Sequence, residues 1–263
     1  MWRAVLFLWS AALLLIGGAG GQTADPVTLT GELTARLGAI PVAVGSFEAV
    51  VADGLYRISG HGRTAGVGRL FSDGEARVES TGPLSQSTIL PSDYRHELKE
   101  RRDRDRVEIA FDGQQVASIS IVPPQKPRRD RVPLGAEHVR GVLDPLSAVM
   151  QLSAGPPGPQ LCDRTLPIFD GEQRYDIELS FKREERVGGL SGIDSGTAYV
   201  CGIRYRPVAG HRPAKSAVKH LQKVDGIEVW LANVGAGVVA PIQARVPTPL
   251  GQLIVSATRL SLQ

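Results

Sequence analysis

Alternation of apolar and polar residues dominates the second half of this chain. Apolar residues recur at every second position in residues 175–181, 199–205, 227–231 and 253–257. Successive side chains of a strand point to opposite faces of a sheet, so this period of two predicts half-buried β-strands. The same alternation places Cys201 on the apolar face of its strand.

Asp-Gly pairs recur between these strand-like segments. Asp-Gly tolerates the positive φ angles of tight hairpin turns, so repeated pairs predict an antiparallel meander. The glycine-rich stretch Arg57–Gly68 has neither the lysine nor the helix pattern of a phosphate-binding loop, and its glycines are predicted to permit strand coiling or bulges. The five pairs are Asp53-Gly54, Asp73-Gly74, Asp112-Gly113, Asp170-Gly171 and Asp225-Gly226.

One segment, Val142–Ala154, has the spacing of a short amphipathic helix. Asp144 can cap its N-terminus, Pro145 suits the first turn, and the run Gly155–Pro159 cannot continue it. We expect this helix to cover an open face of a curved sheet, with lining of a cavity mouth as the functional alternative. The predicted fold is therefore an all-β, mainly antiparallel, curved or spiral sheet or half-open β-barrel with one short helix.

The N-terminus has the pattern of a secretory signal peptide. Arg3 precedes an apolar run from Ala4 to Ile16, and small residues follow it. An uncleaved anchor is the alternative, but the run is shorter than the roughly 20 residues that a membrane span needs. The sequence thus predicts a signal peptide at residues 1–21 and a single β-rich periplasmic domain at residues 22–263, with no transmembrane segment after cleavage.

The two cysteines, Cys162 and Cys201, allow three interpretations: one disulfide, two free buried thiols, or a reactive or metal-binding role. An exported chain meets oxidising conditions, which favours the disulfide. No CxxC or HxxxH pair is present, and the histidines are scattered without a catalytic signature near either cysteine. The histidines are His61, His96, His138, His211 and His220.

Composition and motifs argue against several functional classes. A formal net charge of +3 is too small for a nucleic-acid-binding signature, and Arg128, Arg129 and Arg131 beside an aspartate make a poor patch for a membrane or polyanion. Aromatic residues are 5% of the chain, which is low for a carbohydrate-binding sandwich. With no GxSxG motif present, the sequence indicates no catalytic, cofactor-binding or metal-binding residue.

Several segments together resemble a known family. They are DPLSAVMQL, CDRTLPIFDGEQRYDIELSF, AYVCGIRYRPVAGHR, IEVWLA and VPTPLGQLIVSATRL, and they are similar to the exported bacterial proteins grouped as domain of unknown function 3108. The resemblance spans roughly Leu55–Leu262. It implies a signal-bearing envelope protein with a highly curved antiparallel sheet, similar to the half-open barrels of lipoprotein carriers, and it implies no activity or cofactor.

Three functions are compatible with these observations. The first is a non-catalytic periplasmic protein that binds a lipophilic or envelope-derived ligand, or an envelope protein partner, in the concave face of its sheet. The second is a structural or protein-interaction scaffold whose concavity is filled. The third, a hydrolase of envelope glycan or lipid, needs converging carboxylates or a Ser/His pair that the sequence does not indicate.

Overall fold

The computed structural model describes residues 25–70, 72–85, 88–188, 190 and 196–263. The predicted signal peptide lies outside these ranges. Within them the strands are β1 (Val27–Leu37), β2 (Ile40–Ala52), β3 (Leu55–Thr64), β4 (Glu75–Ser85), β5 (Thr88–Ile89), β6 (Asp93–Glu100), β7 (Asp103–Asp112), β8 (Gln115–Val122), β9 (Arg164–Phe169), β10 (Arg174–Val187), β11 (Gly196–Ala209), β12 (Ile227–Asn233), β13 (Val239–Thr248) and β14 (Gly251–Leu262). The helices are α1 (Pro145–Ser153) and α2 (Ser216–Lys223), and short 3-10 helices span Gly66–Leu70, Ala136–Val139 and Pro159–Cys162.

The strands form one antiparallel sheet made of two meanders. Its order is β8-β7-β6-β4-β3-β2-β1-β14-β13-β12-β11-β10-β9, and β5 pairs with β4. The pairing of β1 with β14 joins the N-terminal and C-terminal meanders. The Asp-Gly pair 53–54 forms the tight hairpin turn after β2, as predicted, whereas Asp112 ends β7 and the turn is made by residues 113 and 114; Gly54 and Gly113 adopt positive φ angles.

The sheet curves strongly but stays open, so β8 and β9 are its two edges. β-Bulges interrupt the β1–β2, β1–β14, β7–β8, β10–β11 and β12–β13 pairings, and bulges increase strand bending and twist. One segment links the two edges: the Val142 N–H donates to Gln114 O at 3.1 Å, and the Leu143 N–H donates to Pro167 O at 2.8 Å. The predicted fold, an open, barrel-like antiparallel sheet, is confirmed.

The predicted helix is confirmed as α1, which begins after Asp144 and ends before Ala154. Ala148 and Leu152 pack into an interior cluster against the C-terminal meander, while Leu146 and Met150 contact the N-terminal one. The expectation of one helix is wrong, because α2 follows β11. Its pattern is hard to recognise in the sequence because it is only eight residues long, and Val218 is the one residue it buries.

β13 and β14 stop pairing beyond Gln243 and Ser256, whereas β14 stays paired with β1 from Leu253 to Leu262. A second apolar cluster, which contains Leu29, Trp230 and Leu260, brings side chains of β1, β12 and β14 together.

Candidate functional site

A buried network of polar side chains fixes the N-terminus of α1 to the inner face of β3 and β4. The Asp144 carboxylate caps the helix by accepting the N–H groups of Leu146 at 2.9 Å and Ser147 at 3.0 Å. Its other oxygen accepts the hydroxyls of Ser147 and Ser80, the latter at 2.9 Å. The Tyr56 hydroxyl is 2.6 Å from Ser147 Oγ, so a strand residue and a helix residue share one network.

Burial sets the electrostatics of this network. It raises the pKa of the Asp144 carboxyl above its ordinary value, and hydrogen bonds from Ser147 and Ser80 counteract part of that rise. Burial likewise raises the pKa of the Tyr56 hydroxyl. Ser80, Asp144 and Ser147 are fully inaccessible to solvent, and no histidine belongs to their hydrogen-bonded network in the described chain. The arrangement holds the helix, and no substrate could reach its hydroxyls from solvent.

An apolar cavity of about 410 Å³ lies between α1 and the inner face of the sheet. Its size falls within the range of roughly 300–1,000 Å³ typical of ligand pockets. The helix contributes Leu146, Val149, Met150 and Ser153 to its wall. Strands β1 to β4, β13 and β14 contribute the rest, which includes Leu29, Leu33, Ala35, Ala43, Gly45, Phe47, Ala49, Ile58, Gly60, Gly62, Ala76, Val78, Ala240, Pro241 and Val255.

Small residues at inward positions of adjacent strands leave this space unfilled. Ala35 lies opposite Ala43, Ala43 lies opposite Thr64, and Gly62 lies opposite Gly45 and Ala76 in the sheet register. A Cβ atom at Gly45 would approach the His61 carbonyl oxygen to 2.8 Å, so this glycine is required by close backbone packing. A Cβ atom at Gly62 would meet nothing closer than 3.9 Å, so the space beside it is open.

A larger depression, of about 820 Å³, lies on the opposite, outer face of the same strands. Its walls combine apolar and charged side chains, and several of the charges are paired: Arg57 contacts Glu79, Arg95 Nη2 lies 2.7 Å from Glu108, and Arg106 Nε lies 3.1 Å from Glu97. The wall of the inner cavity is mainly apolar and, among the described residues, contains no charged side chain. The inner cavity is therefore the stronger candidate site despite its smaller volume.

The sulfur atoms of Cys162 and Cys201 lie at disulfide-bonding distance, and their Cα atoms are 5.2 Å apart. Both residues are fully buried in the cluster that packs against α1. This geometry supports the predicted pairing and leaves neither sulfur accessible as a nucleophile. The link joins the 3-10 helix before β9 to β11, close to the C-terminal end of α1 in the chain.

The other residues considered from the sequence do not converge on a reactive site. Asp176 pairs with Arg174 at 2.7 Å and Glu178 pairs with Arg206, as expected for the polar face of a strand. His211 is buried, its carbonyl oxygen accepts the Val132 N–H at 2.9 Å, and desolvation lowers the pKa of its imidazole. In the part of the chain that the structure describes, no group of three His, Cys, Asp or Glu residues could hold a metal ion.

Trp230 is a core residue and is only 2% exposed. Its indole N–H donates to Glu185 at 2.7 Å, which lowers the pKa of that carboxyl. The Arg245 guanidinium lies over the ring, 4.9 Å from its centroid. These contacts leave no free aromatic face for stacking on a sugar.

Residues 32–258 match the family model described as protein of unknown function (DUF3108). This chain belongs to the DUF3108 family. A crystal structure of a beta-barrel-like protein of domain of unknown function DUF1849 from Brucella abortus is similar to the DUF3108 chain, with a TM-score of 0.50 and 9% identity. The similarity covers 90% of this chain and 98% of that one, and it concerns the fold alone.

No curated protein matches this DUF3108 member, so no activity is assigned by similarity. Among the described helices, none is long and apolar enough to cross a membrane. Function therefore has to be inferred from the geometry and chemistry of the site. The small residues of the cavity wall were not predicted from the sequence, because only the strand register brings Ala35, Ala43, Gly62 and Ala76 together.

Proposed function

We propose that this protein is a non-catalytic periplasmic protein of the cell envelope that binds the alkyl part of a lipophilic or envelope-derived ligand. The observation that carries the proposal is the apolar cavity between α1 and the sheet. A scaffold with a filled core would have no need of small residues along the inner face of four adjacent strands, β1 to β4. Burying alkyl groups there would contribute about 0.8 kcal/mol per CH₂ before the costs of ordering the ligand.

Export is supported by two independent features. The N-terminal apolar run has the form of a signal peptide, and the cysteine pair sits at bonding distance in a fully buried cluster. The apolar wall suits binding of an alkyl chain, since within the described chain it contains no carboxylate, and its one histidine, His61, pairs with Glu75 at 3.1 Å.

The test compares cavity-filling and outer-face variants in the chain from Gln22 onward, which contains every strand and both cysteines. Gly62→Leu places a side chain in open space inside the cavity. Thr34→Leu introduces the same leucine side chain on the outer face of β1, between Leu33 and Ala35, and serves as the control for added apolarity outside the cavity. The probe is the uncharged fluorophore 1-N-phenylnaphthylamine.

We expect Gly62→Leu to weaken probe binding at least tenfold, while Thr34→Leu retains wild-type affinity. Native mass spectrometry and organic extraction of the wild-type protein should also give a co-purifying lipid-range mass. Equal probe affinity in all three proteins would place the binding elsewhere, and no binding to the wild type would favour the scaffold.

A further inference from the structure

Basic residues lie at one end of the sheet in four segments that contain no carboxylate. Four segments make up this surface, called the basic rim here: residues 36–41 after β1, 65–70 after β3, 247–252 between β13 and β14, and 213–223, which include α2. None of these segments contains Asp or Glu. Their Arg and Lys residues are Arg36, Arg69, Lys215, Lys219 and Lys223, all exposed.

The rim segments are neighbours in space, although they are distant in sequence. The Gly38 N–H donates to Gln252 O at 2.9 Å, which joins the β1–β2 turn to the β13–β14 turn. The Ala65 N–H donates to Val42 O at 2.9 Å, which brings segment 65–70 beside these two turns. The His220 ring nitrogen lies 2.8 Å from Pro247 O and attaches α2 to the β13–β14 hairpin.

The lysines of α2 lie along one side of the helix. Lys215, Lys219 and Lys223 follow a spacing of four residues, while Val218 is buried against the sheet. Like charges at this spacing destabilise an isolated helix. None of the rim cations forms an ion pair with another described residue. Their charges are therefore available to an anionic surface.

Exposed apolar side chains stand among these cations. Leu250, at the tip of the β13–β14 turn, is 83% exposed, and Ile40 and Val67 are also exposed. Basic residues around protruding apolar tips suit an anionic bilayer, where the cations contact lipid headgroups and the apolar tips enter the acyl boundary. Ala35 and Ala43 of the cavity wall lie next to this rim along β1 and β2.

We propose that the basic rim docks the protein reversibly on a bilayer containing anionic phospholipids. The contact is peripheral and non-covalent. It uses no residue of the cavity wall, so it goes beyond the proposed ligand binding and can fail or hold independently of it. Asp225, two residues beyond α2, and Asp73, three residues beyond segment 65–70, are carboxylates that flank this surface in the chain and limit its charge.

Vesicle flotation tests the proposal with the chain from Gln22 onward. The vesicles contain either phosphatidylethanolamine with phosphatidylglycerol or phosphatidylcholine alone. We expect the wild type to float with the anionic vesicles and to remain below with the zwitterionic ones. The triple variant Lys215→Gln, Lys219→Gln and Lys223→Gln keeps residues of similar helix propensity and should partition on the order of 100-fold more weakly.

Two matched controls test whether the loss of positive charge, or of an exposed apolar side chain, weakens vesicle binding only when it occurs on the rim. The triple variant Lys182→Gln, Arg186→Gln and Arg204→Gln removes the same charge from exposed positions on β10 and β11 and should bind like the wild type. Leu250→Gln should weaken binding roughly tenfold. Leu55→Gln, at the opposite end of the N-terminal strands and 57% exposed, should not weaken it.

Three outcomes would overturn the inference: no flotation of the wild type, an equal loss of flotation in both triple variants, or binding to soluble heparin without flotation. The last result would assign the rim to an anionic polymer or an acidic protein. Gly62→Leu is expected to float like the wild type. If Gly62→Leu loses probe binding but still floats, the change affects the cavity and not membrane docking.

Discussion

Replacement of Asp144 tests whether the buried network holds α1 over the cavity. Asp144→Ala removes the helix cap, which contributes about 1 kcal/mol. It also leaves the buried hydroxyls of Ser80 and Ser147 without their carboxylate acceptor, at about 1 kcal/mol each as a lower value. We expect the free energy of unfolding to fall by about 3 kcal/mol, a sum of these contributions.

Equilibrium unfolding in urea measures this loss conveniently. The chain from Gln22 onward has Trp230 as its single tryptophan, and this residue is buried, so its fluorescence should change on unfolding. Asp163→Ala, at an exposed position in the same half of the chain, is the control and should change stability by less than about 0.5 kcal/mol. An Asp144→Ala effect as small as that of the control would refute the assigned role.

The pH dependence gives a second test of the same carboxyl. Burial raises the pKa of Asp144 in the folded protein, so on raising the pH the unfolded chain ionises first, near pH 4. The folded state then binds more protons, and stability should fall as the pH rises from about 4 through the folded pKa. Asp144→Asn should reduce this slope, leaving the part due to Asp170, whose pKa burial also raises. An unchanged slope would show that Asp144 is ionised in the folded state over this range.

Two further predictions concern the frame of the sheet. Replacing Cys162 and Cys201 by alanine opens a link with a sequence separation of 39, which chain-entropy estimates value at about 4 kcal/mol, and denaturant unfolding with a free-thiol count should register the loss. Gly210→Ala should lower Tm far more than Gly226→Ala: both glycines have positive φ, but the added Cβ at 210 would lie 2.0 Å from Glu172 O, whereas at 226 it meets nothing closer than 3.6 Å. Similar Tm values for the two variants would show that the turn relaxes around residue 210.

Local patterns were sufficient to predict the strands and α1, because both depend on residues near one another in the chain. Alternation at residues 175–181 indicates a strand wherever that strand pairs, and Asp144 followed by Pro145 begins a helix through contacts within one turn. The same is true of the apolar environment of Cys201. Helix α2 was missed because its eight residues bury little and contain no capping side-chain bond.

The sequence by itself determined the composition of each strand face, whereas the tertiary structure decided which faces meet. Ala35, Ala43 and Gly62 become one wall through register, and α1 closes the space only because Tyr56 and Ser80 on distant strands reach Ser147 and Asp144. The basic rim likewise arises from four turns that are far apart along the chain. Contacts of this kind depend on strand order and bulges, which are set by the packing of the whole sheet and are not encoded within any one segment.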